Sequence, residues 1–239
     1  TEYKASIDHA IRDLQDWYGK QLGGPTFRLH DPVIEVIKSD KSAEWFIANP
    51  NGSNSEDWGH NNTLQEAKEI LGAKHYDSQF IWALNTDDSG SKGRGGSGVA
   101  YLSGNNFIGL LGNHPTQKDP LRWIAGIGHE IGHAFGLLHP TDRVKHEDAI
   151  MWMGIYNGKY PDTAYLTDED KQTLLSSRFF QYTDLGSLPQ TSEGNGTNSD
   201  AGSVNGLQQF VLTATVDGQG SVTGSGTYEG GETSTLRAL

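Results

Sequence analysis

The pattern of apolar and polar residues predicts a long helix near the start of the chain. Apolar side chains recur at steps of three and four over residues 3–22, and this spacing places them on one helix face. The sequence Gly23-Gly24-Pro25 then ends the helix, because glycine and proline both interrupt helical structure. Partial alternation over residues 26–38 predicts a strand, and residues 44–48 are a second, shorter strand candidate.

A polar loop and a second helix follow. Residues 49–62 are rich in Asn, Gly and Ser, which is typical of a loop. Thr63 and Glu66 have the spacing of a capping box, in which each side chain satisfies a backbone amide at the start of a helix. We therefore predict a short helix that begins at Thr63 and ends at Gly72.

The next apolar stretches predict strands. Residues 79–85 read QFIWALN and predict a central strand, because such strands are apolar on both faces. Residues 98–103 and 106–112 are predicted to form a hairpin whose turn includes Gly104.

A third long helix is predicted from residue 120. Asp119 is a preferred N-cap residue, and Pro120 is favoured at the first helical position. Gly136 should end this helix, since glycine tolerates the left-handed conformation found at many helix ends. Thr167 is predicted to cap a last helix, with three acidic residues suited to the positive end of the helix dipole. The buried side of the third helix is formed by Ile124, Ile127, Ile131 and Phe135.

The composition changes after residue 186. Residues 187–206 consist largely of Gly, Ser, Asn and Thr and predict a flexible linker. Residues 207–239 contain β-type residues between glycine turns and resemble the small β-repeats of bacterial secreted and surface proteins. We therefore predict a first domain over 1–186, then the linker, then a small β segment over 207–239. This segment is small for an independent core, so it either begins a longer module or leans on the first domain.

Charge and cysteine content narrow the classes of function. The 239 residues include 18 Lys and Arg against 30 Asp and Glu, which gives a net charge of −12. An acidic chain without a basic cluster disfavours nucleic acid and anionic membranes as partners. The absence of cysteine excludes disulfides and thiolate metal sites. No apolar run is long enough to predict a membrane span, and the first residues do not read as a signal peptide.

Residues 129–139, HEIGHAFGLLH, carry the candidate chemistry. His129 and His133 lie four residues apart, so a helix places both imidazoles on one face. Glu130 lies beside the first of them, and a chain that turns back at Gly136 can bring His139 in as a third ligand. Three protein ligands with one open position are typical of a catalytic zinc site.

The same stretch resembles the extended zinc signature HExxHxxGxxH of the metzincin clan of metalloproteases, and all five fixed positions match. Residues 149–154, AIMWMG, resemble the methionine loop that lies beneath the zinc in that clan. The resemblance assigns this role to Met151, with Met153 as the alternative. In some members a tyrosine two places after the methionine reaches the metal; Met153 occupies that place here, which leaves Tyr156 as a substitute.

The resemblance implies a fold of the α/β (α+β) class: a twisted mixed sheet with long helices, a zinc cleft and a small C-terminal subdomain, followed here by the short β segment. The clan usually has a strand before its first long helix. None is visible before residue 3, so that strand lies upstream or another segment replaces it.

The resemblance also implies an activity. One catalytic Zn²⁺ is bound by His129, His133 and His139, and Glu130 is the general base of an endopeptidase. The expected substrate is a protein or peptide, and the expected protein is a bacterial, secreted or cell-surface monomer. An edge strand ahead of the zinc helix would align the peptide by strand addition. This role falls on Val99, Ala100, Tyr101 and Leu102.

Several alternatives remain open at this point. Asp87 and Asp88 lie in the glycine-rich stretch 86–98, which either binds Ca²⁺ or is a solvated loop. His146 could compete as a metal ligand. A binding or adhesion protein with a vestigial zinc domain, or a zinc amidase acting on a non-peptide bond, would carry much of the same sequence. Cleavage of a peptide library discriminates these functions.

Overall fold

The fold is described by a computed structural model that covers residues 2–72, 80–90, 92–156, 158–180, 210–216, 222–223 and 237–238. Within these residues helices and strands are interspersed along the chain, as in a mixed α/β fold. The helices are α1 (Glu2–Leu22), α2 (Ala43–Ala48), α3 (Trp58–Leu71), α4 (Gly104–Leu110), α5 (Pro120–Ala134) and α6 (Asp168–Ser176). The strands are β1 (Leu29–Ile37), β2 (Phe80–Thr86), β3 (Gly93–Gly96), β4 (Val99–Leu102), β5 (Phe210–Val216), β6 (Val222–Thr223) and β7 (Arg237–Ala238). Short 3₁₀ helices cover Ser55–Asp57, Met153–Ile155 and Arg178–Phe180.

A five-stranded mixed sheet forms the centre of the fold, in the order β1-β5-β2-β4-β3. Strands β1, β5, β2 and β4 run parallel to one another, whereas β3 pairs antiparallel with β4 at one edge. Every residue of β4 is buried, and so is all of β2 after its first residue. Continuous burial is expected of parallel strands that are covered on both faces.

Helices cover both faces of the sheet. Successive side chains of a strand point to opposite faces. Ile81 of β2 therefore joins the larger core, which includes the apolar faces of α1 and α5, while Trp82 joins a second core with α3. The Tyr18 hydroxyl of α1 donates a buried hydrogen bond to the Gly128 carbonyl of α5 at 2.9 Å. This contact and the larger core hold α5 in place. No described helix is both long enough and apolar enough to cross a lipid bilayer.

Several predicted elements are confirmed. The first helix, the strand after it and the apolar strand 79–85 correspond to α1, β1 and β2. Helix α3 ends at Gly72, which has a left-handed φ of 61°. Helix α6 follows Thr167, and the cap is reciprocal: the Thr167 hydroxyl accepts from the Asp170 amide, and the Asp170 carboxylate accepts from the Thr167 amide.

Two other predictions for the first part of the chain are wrong. Residues 44–48 belong to helix α2 and not to a strand, because periodicity cannot separate strand from helix in so short an apolar run. Helix α3 begins at Trp58, so Thr63 lies inside the helix and does not cap it. The Glu66 carboxylate accepts hydrogen bonds from the side chains of Ser39 and Lys41 instead.

The predicted hairpin is also wrong in its second half. Residues 98–103 contain strand β4, but the stretch after it forms helix α4. Phe107 and Leu110 are both buried and lie three residues apart, which suits one face of a helix. The apolar run therefore serves a helix that packs on α5 and α1.

The strand that was predicted to bind substrate lies inside the sheet. β4 pairs with β2 on one side and with β3 on the other, so its backbone groups are not open to a peptide. The sheet edge is formed by β3, whose sequence GRGG has no apolar alternation and gave no strand signal. This corrects the assignment of the substrate-binding edge to Val99, Ala100, Tyr101 and Leu102.

One strand of the C-terminal stretch belongs to the central sheet. β5 pairs in parallel with β1 on one side and β2 on the other. The sequence predicted a separate segment over 207–239, whereas β5 completes a sheet whose other strands lie between residues 29 and 102. Strands β6 and β7 pair with each other. The predicted linker over 187–206 lies outside the described residues.

Candidate metal centre

Helix α5 begins and ends as its sequence predicts. The Asp119 side chain accepts a hydrogen bond from the Leu121 amide at 3.0 Å, and Pro120 occupies the first turn. At the other end Gly136 has a left-handed φ of 99°. The Leu137 amide donates to the Gly132 carbonyl at 2.9 Å, and the Gly136 amide to that of His133 at 3.0 Å. This pair of bonds is the Schellman motif, which reverses the chain after the helix.

The reversal brings the three predicted histidines together. The Nε2 atoms of His129 and His133 lie 3.1 Å apart, those of His133 and His139 3.2 Å, and those of His129 and His139 3.3 Å. Nitrogens that share one tetrahedral ion at about 2.0–2.1 Å lie about 3.3–3.4 Å from each other. The three imidazoles could therefore hold one metal ion. They form the one cluster of three or more potential ligands found among the described residues.

Backbone carbonyls orient two of these rings. The Nδ1 atom of His129 lies 2.8 Å from the Ile150 carbonyl, and Nδ1 of His133 lies 2.8 Å from the Leu137 carbonyl. Since a carbonyl only accepts, each Nδ1 carries the proton and each Nε2 presents its lone pair to the centre. Burial lowers the pKa of His129 to about 4, and it also lowers the pKa of His139. Both effects favour the neutral imidazole that binds a metal.

Glu130 is partly buried beside the cluster. Burial raises its pKa to about 7, although the charges of Arg94 and Arg122 act in the opposite direction. The edge strand β3 lies directly against this residue. A Cβ atom at Gly93 would lie 2.6 Å from the Glu130 Oε1 atom, and one at Gly95 would overlap the Glu130 carbonyl. Gly93 therefore lets the sheet edge approach the carboxylate, and Gly95 lets it approach the backbone of α5.

The predicted methionine loop packs under the cluster. Met151 is fully buried, and a Cβ atom at Gly132 would lie 2.5 Å from its sulfur. Gly132 lies between His129 and His133 in the sequence of α5, so Met151 packs against the helix that carries both histidines. Met153 is 40% exposed, which favours Met151 as the packing residue. The neighbouring Ile150 is held by its amide, which donates to the Tyr165 carbonyl at 2.9 Å.

Other predicted ligands lie outside the cluster. The Nδ1 atom of His146 is 3.0 Å from the Tyr165 hydroxyl, and this histidine does not join the other three. Asp88 is buried, and its carboxylate accepts hydrogen bonds from the Thr86 and Tyr101 hydroxyls and from the Gly90 amide. These three donors satisfy the buried carboxylate of Asp88 by hydrogen bonds.

Sequence reasoning missed several residues around the site. Arg94 and Arg122 place positive charge near Glu130, and the Trp152 ring centroid lies 5.4 Å from that of His139. Arg122 precedes Glu130 by eight residues, and this helical spacing was the available signal. Arg94 lies in a stretch without periodicity, so no sequence signal connects it to the site.

Comparison of the chain with protein-family models, with curated proteins and with solved structures gave no match. The function is therefore inferred from the residues of the site itself.

Proposed function

We propose that this protein is a zinc-dependent endopeptidase of the metzincin type. One observation carries the proposal: three Nε2 atoms lie within 3.3 Å of each other, and the carboxylate of Glu130 comes from the residue next to the first of them. Structural zinc sites use four protein ligands, whereas three ligands leave a position for water or substrate. His139 is exposed, so the cluster is open on that side.

Zinc is the ion that this donor set suits best. Imidazole nitrogens also bind copper, iron and nickel, so the ligands alone do not select the metal. The combination of three histidines, near-tetrahedral nitrogen spacing and an adjacent carboxylate is the arrangement used for zinc-assisted hydrolysis. A zinc ion held there would supply a Lewis acid and would lower the pKa of water.

Glu130 is the proposed general base. Its carboxylate accepts a proton from the water that attacks the scissile carbonyl, and then delivers that proton to the leaving nitrogen. The carboxylate lies close to Gly93 at the sheet edge. The carbonyl partners of His129 and His133 hold the two rings still during this exchange.

The proposed peptide site follows the corrected sheet edge. Within the described residues β3 pairs with β4 along one side only. A peptide that adds to its free side by backbone hydrogen bonds would lie next to Glu130, because β3 itself contacts that residue. The edge strand supports a peptide substrate over a non-peptide amide.

The test is a Glu130→Gln variant assayed with zinc bound. Glutamine keeps the shape of the side chain but cannot accept the proton, so we expect peptide cleavage to fall by about 10²–10⁴-fold. Zinc content, measured by elemental analysis, should stay near one per chain. Glu147→Gln is the matched control, since Glu147 is exposed in the loop after the cluster. Near-normal turnover of Glu130→Gln, or failure of the zinc-loaded wild type to cleave any member of a peptide library, would refute the proposal.

A further inference from the structure

Arg122 lies on the same side of α5 as the proposed general base. Arg122, Gly126 and Glu130 are spaced four residues apart, so they follow one another along the helix surface. Gly126 contributes no side chain, and a Cβ atom there would lie 2.8 Å from the Arg122 Nη1 atom. The guanidinium therefore lies over Gly126, about one helical turn from Glu130.

This guanidinium has aromatic contacts, and none of the carboxylates in the described part of the chain forms an ion pair with it. Its central carbon lies 4.3 Å from the centroid of the Tyr156 ring and 5.2 Å from that of Trp123. Its Nε atom is buried and has no hydrogen-bond partner in the part of the chain that the structure describes. By contrast, Arg94 forms ion pairs with Glu56 at 3.1 Å and Asp57 at 2.8 Å. Aromatic rings cover the face of a guanidinium and leave its edge donors for a ligand.

Local physical chemistry does not favour a cation at this place. Arg122 belongs to the first turn of α5, where the helix dipole is positive and favours negative groups. Partial burial of the guanidinium is also costly and lowers the pKa of Arg122, although Tyr156 and the charge of Glu130 act in the opposite direction. Residues that go against such local preferences are often found at functional sites. A bound anion would relieve both costs.

We propose that Arg122 binds a carboxylate of the substrate and makes this protein selective for acidic peptides. The inference rests on the proposed peptidase function. A carboxylate accepts two parallel N–H bonds from a guanidinium edge, which gives both affinity and orientation. The four residues from Gly126 to Glu130 rise about 6 Å along the helix, which is about two residues of an extended peptide. The carboxylate should therefore belong to a residue about two positions from the scissile bond. It can come from an Asp or Glu side chain or from the free C-terminus of a short peptide.

The experiment compares matched substrates on the zinc-loaded, full-length protein. One set replaces Asp by Asn at each position within four residues of the scissile bond. A second set carries a free or an amidated C-terminus at the same distances. The variants are Arg122→Gln, Arg122→Lys and the control Arg12→Gln, which removes an exposed arginine paired with Asp8 on α1. The same peptides are also titrated against the Glu130→Gln variant, so that binding is measured without turnover.

We expect wild type to prefer the acidic member of one pair by about 10- to 100-fold in kcat/KM, the range for a hydrogen-bonded charge pair. Arg122→Gln should bring that ratio close to one. Arg122→Lys should leave an intermediate preference, because lysine cannot form two parallel hydrogen bonds with a carboxylate. The control Arg12→Gln should keep the full ratio. The Glu130→Gln variant should bind the acidic peptide more tightly by a similar factor. Preference for the Asp series identifies a side-chain carboxylate, and preference for the free-acid series identifies a C-terminus.

Two results would overturn the inference in distinguishable ways. If wild type cleaves neutral and acidic peptides equally, or if Arg122→Gln keeps an acidic preference, Arg122 does not read the substrate although the protein remains a peptidase. If no peptide is cleaved by the zinc-loaded wild type, the peptidase proposal fails and the inference fails with it. Near-identical melting curves for the arginine variants would exclude misfolding as the cause of a lost preference.

Discussion

Replacing Glu130 should stabilise the metal-free protein in a manner that depends on pH. The pKa of this carboxyl is raised by burial from 4.5 to about 7. Well below pH 4.5 the carboxyl is neutral in both the folded and unfolded states, so its burial as a charge costs nothing. As the pH rises through the interval from 4.5 to 7, the unfolded chain ionises first and the folded state loses stability. The shift corresponds to roughly 3 kcal/mol of unfolding free energy at pH 8.

Glu130→Gln removes this titration and keeps a side chain of similar shape. The difference in unfolding free energy between the variant and wild type should therefore increase with pH in favour of the variant. Relative to its value at low pH, this difference should be larger by about 1 kcal/mol at pH 5 and by about 3 kcal/mol at pH 8. The pKa of His129 is lowered to about 4, so this residue destabilises the fold as the pH falls below about 6.5. Because His129 is present in both proteins, its contribution to the unfolding free energy cancels in the comparison. The difference at pH 8 should appear as about 6–12 °C in Tm for a chain of this size.

The assay is denaturant or thermal unfolding of chelator-treated protein at several pH values between 5 and 8. Glu147→Gln serves as the control, because it makes the same substitution at an exposed position. If the free-energy difference between Glu130→Gln and wild type stays constant over this range, burial does not raise the pKa of Glu130. The carboxylate is then more open to solvent than its position beside β3 implies. A difference that shrinks as the pH rises would refute the reasoning as well, because its sign would be reversed.

Two further predictions concern the proposed metal site and the C-terminal strand. In the proposed zinc site His133→Ala removes one of three ligands, so elemental analysis should find about one zinc per chain in the wild type and a loss of that zinc in the variant; tightly held zinc at one per chain in the variant would exclude His133 as a ligand. A chain that ends at Thr191 lacks β5 and leaves the facing edges of β1 and β2 unpaired, so its urea midpoint should fall below that of the full chain. An unchanged midpoint would support the prediction from the sequence that residues 207–239 form a separate segment.

The sequence predicted the centre of the site well because its signals are local. The N-cap at Asp119, the turn at Gly136 and the two helical histidines lie within one helix and its ends, and each is visible in the spacing of the chain. Met151 was selected by resemblance, and the fold buries it fully against α5. These features depend on neighbours fewer than 25 residues away.

The parts that were missed depend on contacts between distant segments. The Ile150 carbonyl that orients His129 belongs to a loop whose position cannot be predicted from the sequence. The edge strand β3 has the sequence GRGG, which carries no strand pattern and becomes a strand only by pairing with β4. Short apolar runs caused the other errors, since α2 and α4 contain too few residues for periodicity to separate helix from strand.

The central helix shows how far the site depends on its surroundings. α5 contains glycines at 126, 128 and 132, and each lowers intrinsic helix stability by about 1 kcal/mol relative to alanine. Two of them are needed for close contact: a Cβ atom at Gly128 would lie 2.6 Å from a methyl carbon of Leu14, and one at Gly132 would lie 2.5 Å from the Met151 sulfur. The helix that presents His129 and His133 is therefore intrinsically weak and is held by α1 from one direction and by the methionine loop from another. Because the same loop supplies the carbonyl that orients His129, any change that loosens Met151 should disturb the ligand geometry before it unfolds the protein.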